Sequence, residues 1–168
     1  MLLSVEKITK KFPVSRGLLG NPTAFLKAVD EVTFELGQGE ILGVVGESGC
    51  GKSTLGRCVV GLYEPTEGTL SWEGEGIATM DEGRRRQVRR RFQMVFQNPF
   101  ASLDPRQKVG EILVEPMRVH GSVPIKNQND VATEFLTRVG LSSDDLQKYP
   151  HEFSGGQRQR IGLARALA

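Results

Sequence analysis

The chain has 168 residues, 38% hydrophobic and 25% charged, the size and composition of one ordinary globular domain. A net charge of +2 gives no argument for a polyanionic partner, and Cys50 and Cys58 match no zinc spacing. No apolar run is long enough for a secretory signal or a membrane span, so the chain reads as soluble or as held at a membrane by another protein.

In chain order, residues 2–8 are apolar and partly alternating, which predicts a first strand. Residues 12–26, rich in proline and glycine, read as a loop excursion. Val29, Val32, Phe34 and Leu36 alternate and predict a second strand, antiparallel to a neighbour. The continuous apolar run 41–45 is expected to be a strand buried on both faces, leading into a glycine-rich turn and a helix from about 53. A strand over 69–74, a basic helix over 81–92 and a short buried strand over 93–96 complete the first part. From about 107 the period becomes helical. Val109, Ile112 and Leu113 share one face until Pro116 interrupts it, and Val131, Phe135, Leu136 and Val139 form a second stripe closed by Gly140. Strands first and helices later suggest an α/β core carrying a helical subdomain.

Gly46, Gly51, Lys52 and Ser53 satisfy the phosphate-loop pattern G-x-x-x-x-G-K-[ST] between an apolar run and a helix. Glycines let backbone N–H groups turn toward phosphate oxygens, and a helix N-terminus adds partial positive charge. The loop residues Gly46, Glu47, Ser48, Gly49, Cys50, Gly51, Lys52, Ser53 and Thr54 are therefore the candidate nucleotide site. Lys52 would bridge the β- and γ-phosphates, and Ser53 would offer its hydroxyl to Mg²⁺. The bland reading, a turn that binds nothing, is far less economical given this context.

A second motif, Ser154-Gly155-Gly156-Gln157, heads the last helix with the spacing of a capping box. Its uncovered N–H groups, two of them on residues without side chains, could also approach a phosphate. The two readings are compatible.

Three stretches, 28–62, 96–106 and 149–167, resemble the ATP-binding subunits of ABC transporters, and more narrowly the dipeptide/oligopeptide importer ATPases of the F type. The resemblance implies a P-loop NTPase core with an N-terminal antiparallel β subdomain and an inserted helical subdomain, an incomplete ABC ATPase domain. Its implied parts are 1–98 (β subdomain and P-loop core), 99–153 (helical subdomain) and 154–168 (signature helix). It further implies that Phe12 stacks on adenine, although a strand-end core residue explains Phe12 equally well. It implies that Gln97 meets Mg²⁺ and the attacking water, and that Ser154, Gly155, Gly156 and Gln157 close on ATP held by the opposite subunit.

The cofactors so implied are ATP and Mg²⁺. The implied partners are a second ABC ATPase subunit, integral membrane permease subunits and an extracytoplasmic substrate-binding protein, at the cytoplasmic face of the plasma membrane. The run containing Arg84, Arg85, Arg86, Arg89, Arg90 and Arg91 reads as a solvated helix face, and no nucleic acid is expected. Members of the resembled family continue past the signature helix into a strand ending in Asp-Glu and a switch histidine, so the chain reads as an N-terminal part. The alternative is a remnant that binds nucleotide weakly at most. Dipeptides, oligopeptides, nickel chelates and glutathione all remain open as cargo.

Overall fold

The computed structural model describes residues 1–16, 22–96 and 103–168. The chain divides into two compact units, Met1–Phe92 and Gln93–Ala168, each with its own core.

The first unit is a four-stranded antiparallel sheet in the order β2-β1-β3-β4, built from β1 (Leu3–Arg16), β2 (Pro22–Leu36), β3 (Glu67–Trp72) and β4 (Glu75–Gly76). Helices α1 (Lys52–Val59) and α2 (Glu82–Arg89), together with Met80 just before α2, supply the other buried residues of its core. Leu3, Val5, Ile8, Val29, Leu70 and Trp72 are buried with Leu55 and Cys58 of α1 and Val88 of α2. Side-chain alternation along the strands sends these residues inward and leaves Ser4, Glu6 and Thr69 on the outer face.

The ladder is interrupted at Lys7 and Glu31, both at positive φ, with register shifts between Val5 and Lys10. Buried Thr9 holds the irregularity together: its hydroxyl accepts the Glu31 N–H at 3.0 Å. A buried polar group so paired costs little, which is why threonine is tolerated there.

Three expectations for this region need correction. Residues 12–16 and 22–26 are strand rather than loop, because β1 and β2 extend as a paired ribbon to Arg16 and from Pro22, while the rest of that expectation, 17–21, lies outside the described residues. Edge-strand pairing tolerates the prolines where no ladder N–H is needed. Residues 41–45 form no strand, and Ile41 and Val45 stand 95% and 92% exposed. Residues 93–96 form none either, with Val95 and Phe96 exposed. An apolar run becomes a strand only when a neighbour pairs its backbone. Among the described residues, no strand pairs with either run.

The second unit packs α3 (Val109–His120), α4 (Gln128–Arg138) and α5 (Gly155–Leu167) around Leu113, Met117, Leu136 and Ile161, all fully buried. Gly140 closes α4 as expected. At φ 75° it donates to the Thr137 carbonyl, and Leu141 donates to that of Leu136. This is the Schellman arrangement that satisfies the last carbonyls of a helix. Pro116, however, does not end α3, which runs on to His120. Proline removes one helical N–H, but Ile112, Leu113 and Met117 on either side are buried and hold the helix in place.

Candidate functional site

The loop 46–51 leads directly into α1, whose buried Leu55 and Cys58 anchor the helix to the sheet. Burial pushes the Cys58 thiol pKa up, so it is an inert core group. Residues 46–50 are exposed, and Gly51 caps the helix at φ 101°. A Cβ at Gly51 would meet the Ala28 carbonyl oxygen at 2.1 Å. A Cβ at Gly46, at φ 156°, would meet Cys50 Sγ at 2.7 Å. The loop therefore needs both glycines to take this path at all.

No acidic residue stands in the first turn of α1, so the positive end of the helix is uncompensated. Lys52 Nζ folds over the loop, donating to the Gly46 and Glu47 carbonyls at 2.8 and 2.6 Å, with Cys50 Sγ at 3.6 Å. The ammonium is thus centred on the concave side of the turn. Ser53 is exposed beside it and Thr54 half-buried.

Phe12 lies on β1 opposite Leu26, with its ring edge-to-face against Tyr63 at 5.5 Å. Lys10 Nζ sits 5.3 Å from the Phe12 ring, and Arg57 lies 5.6 Å from that of Tyr63. Sequence spacing does not pair residue 12 with residue 63, so Tyr63 and its two cations are visible only in the fold. Gln97 lies outside the described residues.

In the second unit, Ser154 caps α5 with the reciprocal bonds that its spacing predicts. Gln157 N–H donates to Ser154 Oγ at 3.3 Å, and Ser154 N–H donates to Gln157 Oε1 at 2.9 Å. A Cβ at Gly155 or Gly156 would meet nothing within 4 Å. Neither has positive φ. Packing within the chain does not require glycine at these positions.

The arginines between 84 and 91 are partly spoken for. Arg84 donates to Glu75 at 2.9 Å, Arg91 to Glu73 at 2.8 Å, and Arg85 to the Met80 carbonyl at 3.1 Å. Arg86, Arg89 and Arg90 remain exposed, as a solvated face would have them.

A glycine-shaped loop delivering a lysine to a helix N-terminus defines a phosphate-loop nucleotide-binding protein, and the second capped helix narrows that class. The chain belongs to the ABC transporter family, whose model matches residues 29–168. It is similar to the oligopeptide transport ATP-binding protein AppF of Bacillus subtilis (strain 168), at 49% identity over 99% of this chain and 51% of that protein. It is also similar to the glutathione import ATP-binding protein GsiA of Escherichia coli (strain K12), at 47% identity over 99% of this chain and 27% of GsiA. The chain thus spans about half, or less, of the length of these relatives. Among solved structures it resembles the ATP-binding cassette MJ0796, a dimer in a post-hydrolysis state bound to ADP and Pi. That match has a TM-score of 0.83 and 26% identity over 99% of this chain and 69% of that one. The fold is also that of cbiO1 from Clostridium perfringens, at a TM-score of 0.75 and 23% identity over 99% of this chain and 61% of that one.

Proposed function

We propose that this chain forms the ATP-binding part of a peptide-type importer ATPase. In this reading ATP binding closes two subunits, and hydrolysis in the whole protein resets attached permease subunits. The observation that carries it is the pair of glycines opening α5, which the fold itself does not require. A helix N-terminus freed of side chains suits an anionic group brought by another molecule. The first unit supplies a separate anion cradle, in which Lys52 exchanges the Gly46 and Glu47 carbonyls for the β- and γ-phosphates.

The relatives AppF and GsiA, an oligopeptide and a glutathione import protein, support the importer class and leave the cargo open. Among the described residues no cluster of three or more His, Cys, Asp or Glu side chains could hold a metal alone. Mg²⁺ would arrive with the phosphates, with Ser53 and Gln97 as the residues to hold it. Such a metal would draw charge off the γ-phosphate. Ser154, Gly155, Gly156 and Gln157 contact ATP bound by the partner subunit, and Phe12 supplies an aromatic surface for adenine. Among the described residues no helix is long and apolar enough to cross a membrane, and the proposed position is peripheral, on the cytoplasmic face beside the permease.

Titration with a fluorescent ATP analogue and Mg²⁺ tests the cradle. Lys52→Ala should cost at least tenfold in affinity with the circular dichroism spectrum unchanged, because among the described residues Lys52 bonds to the loop it serves and to nothing else. Equal affinity in the two proteins would overturn the nucleotide assignment.

A further inference from the structure

Phe12 lies on a part of β1 that the sheet itself does not hold. The pairing of β1 with β3 stops at Thr9 and Glu67, so beyond Lys11 only β2 stands beside β1 among the described residues. Two strands alone are marginal, and they offer little to fix the direction of the half-buried Phe12 ring.

The turn after α1 supplies that support. Tyr63 N–H donates to the Arg57 carbonyl at 3.1 Å, which ties Tyr63 to the last turn of the helix that the phosphate loop opens. Three further bonds stitch the same turn to β1. The Lys10 ammonium donates to the Glu64 carbonyl at 2.7 Å, Thr66 N–H to the Thr9 carbonyl at 2.8 Å, and Lys11 N–H to Thr66 Oγ1 at 3.0 Å. Residues 63–66 therefore bridge the loop-bearing helix and the strand that carries Phe12.

On that bridge the Tyr63 ring meets Phe12 at 5.5 Å and 77°, the edge-to-face arrangement that aromatic pairs favour. Lys10 Nζ lies 5.3 Å from the Phe12 ring and 5.8 Å from that of Tyr63, so the ammonium and the two rings form a nearly equilateral triangle. Both neighbours thus approach Phe12 from one side, and Phe12 keeps exposed surface for a flat ligand. The spacing to the phosphates fits as well. Gly51 abuts the Ala28 carbonyl, and Ala28 lies two residues, about 7 Å of strand, from Leu26, the partner of Phe12. A single nucleotide can span that interval from phosphate to base.

We infer that Tyr63 is a positioning residue for the nucleotide base, holding the Phe12 ring at the angle at which its free side stacks on adenine. This rests on the role proposed for Phe12 and names the residue that sets it. Without the Tyr63 ring, Phe12 turns among rotamers and has to be ordered each time a base binds. Affinity for the base falls, and affinity for the phosphates does not.

The test titrates the 168-residue chain with MgATP and with magnesium tripolyphosphate, which carries the phosphates without a base. The wild type should bind MgATP roughly tenfold tighter, the difference being the stacked base. Tyr63→Leu and Tyr63→Met, apolar side chains without the ring, should each weaken MgATP about fivefold and leave tripolyphosphate unchanged. Tyr63→Phe, which keeps the ring, should match the wild type with both ligands. In a Phe12→Leu background, Tyr63→Leu should cost MgATP nothing further. Equal weakening of both ligands by the two apolar variants would show that the ring only props the fold, and an undiminished preference for MgATP would show that Phe12 needs no support. Either result overturns the inference, as does a lost preference in Tyr63→Phe or a further loss in the Phe12→Leu background. A wild type that binds both ligands equally also overturns it, yet leaves the Lys52 cradle standing. A wild type that binds neither takes the nucleotide reading down with it.

Discussion

The position a Cβ would take on Gly51 lies 2.1 Å from the carbonyl oxygen of Ala28, so the phosphate loop is pressed against the backbone of β2. The contact ties a binding loop to the sheet through backbone alone. Gly51 also sits at φ 101°, where a side chain is strained whatever the space around it. Gly51→Ala should therefore lower the unfolding free energy by about 1–3 kcal/mol and displace Lys52 from the loop. A urea midpoint equal to that of the wild type would refute the close approach.

Gly155 makes the opposite prediction. It sits in the first turn of α5 with open space where a Cβ would go. Alanine is a better helix former than glycine by about 0.5–1 kcal/mol, so Gly155→Ala should leave stability unchanged or raise it. In a protein containing this chain and the rest of its ATPase, the same variant should lose ATP-dependent association with the second subunit. Thermal unfolding and size-exclusion chromatography with ATP separate the two effects. A variant that still associates normally would remove the functional reason for glycine here.

Pro116 tests how strongly packing overrides a local breaker. It interrupts the hydrogen bonding of α3 while Ile112, Leu113 and Met117 keep the helix buried. Pro116→Ala restores the missing donor and removes the ring from the turn below, at the expense of a more flexible unfolded chain. A net gain of about 1–2 kcal/mol is expected, below the ~3 kcal/mol separating the two residues in free helices. Destabilisation would mean that the proline ring itself fills the helix surface.

These cases also divide what was legible in the sequence from what was not. The cap at Ser154 and Gln157 and the stop at Gly140 were readable because each depends on residues within four positions. The glycine-rich turn running into α1 was readable for the same reason. The run 41–45 was misread because apolar composition reports a wish for burial, whereas a strand also needs a backbone neighbour, and none of the described strands supplies it. The strand residues 12–16 and 22–26 were misread because proline and glycine signal a turn without saying how far the flanking strands extend. Tyr63 beside Phe12 could not be read at all, since 51 positions separate them and only the fold brings them together.

Asp145 gives the second unit a defined acid limb. It closes a capping box with Ser142, accepting the Ser142 N–H at 3.0 Å, and takes the Lys148 ammonium at 2.7 Å. The carbonyl of that same Lys148 accepts the Val109 N–H at 2.9 Å, where α3 begins. The Lys148 hydrogen bond, helped by the Ser142 N–H against the cost of burial, holds the Asp145 carboxyl below the usual carboxylate range. The unfolded chain then binds the proton at higher pH than the folded one. Asp145 accordingly contributes its full stabilisation above the ordinary aspartate pKa of about 3.9 and loses it as the pH falls through the lower folded value. Asp145→Ala should cost about 1–2 kcal/mol at pH 7, and the gap between the variant and the wild type should narrow steadily below about pH 4. Urea unfolding followed by circular dichroism at several pH values measures both. A gap of constant size down to pH 2 would show that the carboxylate's charge contributes nothing, and that the side chain acts through packing alone.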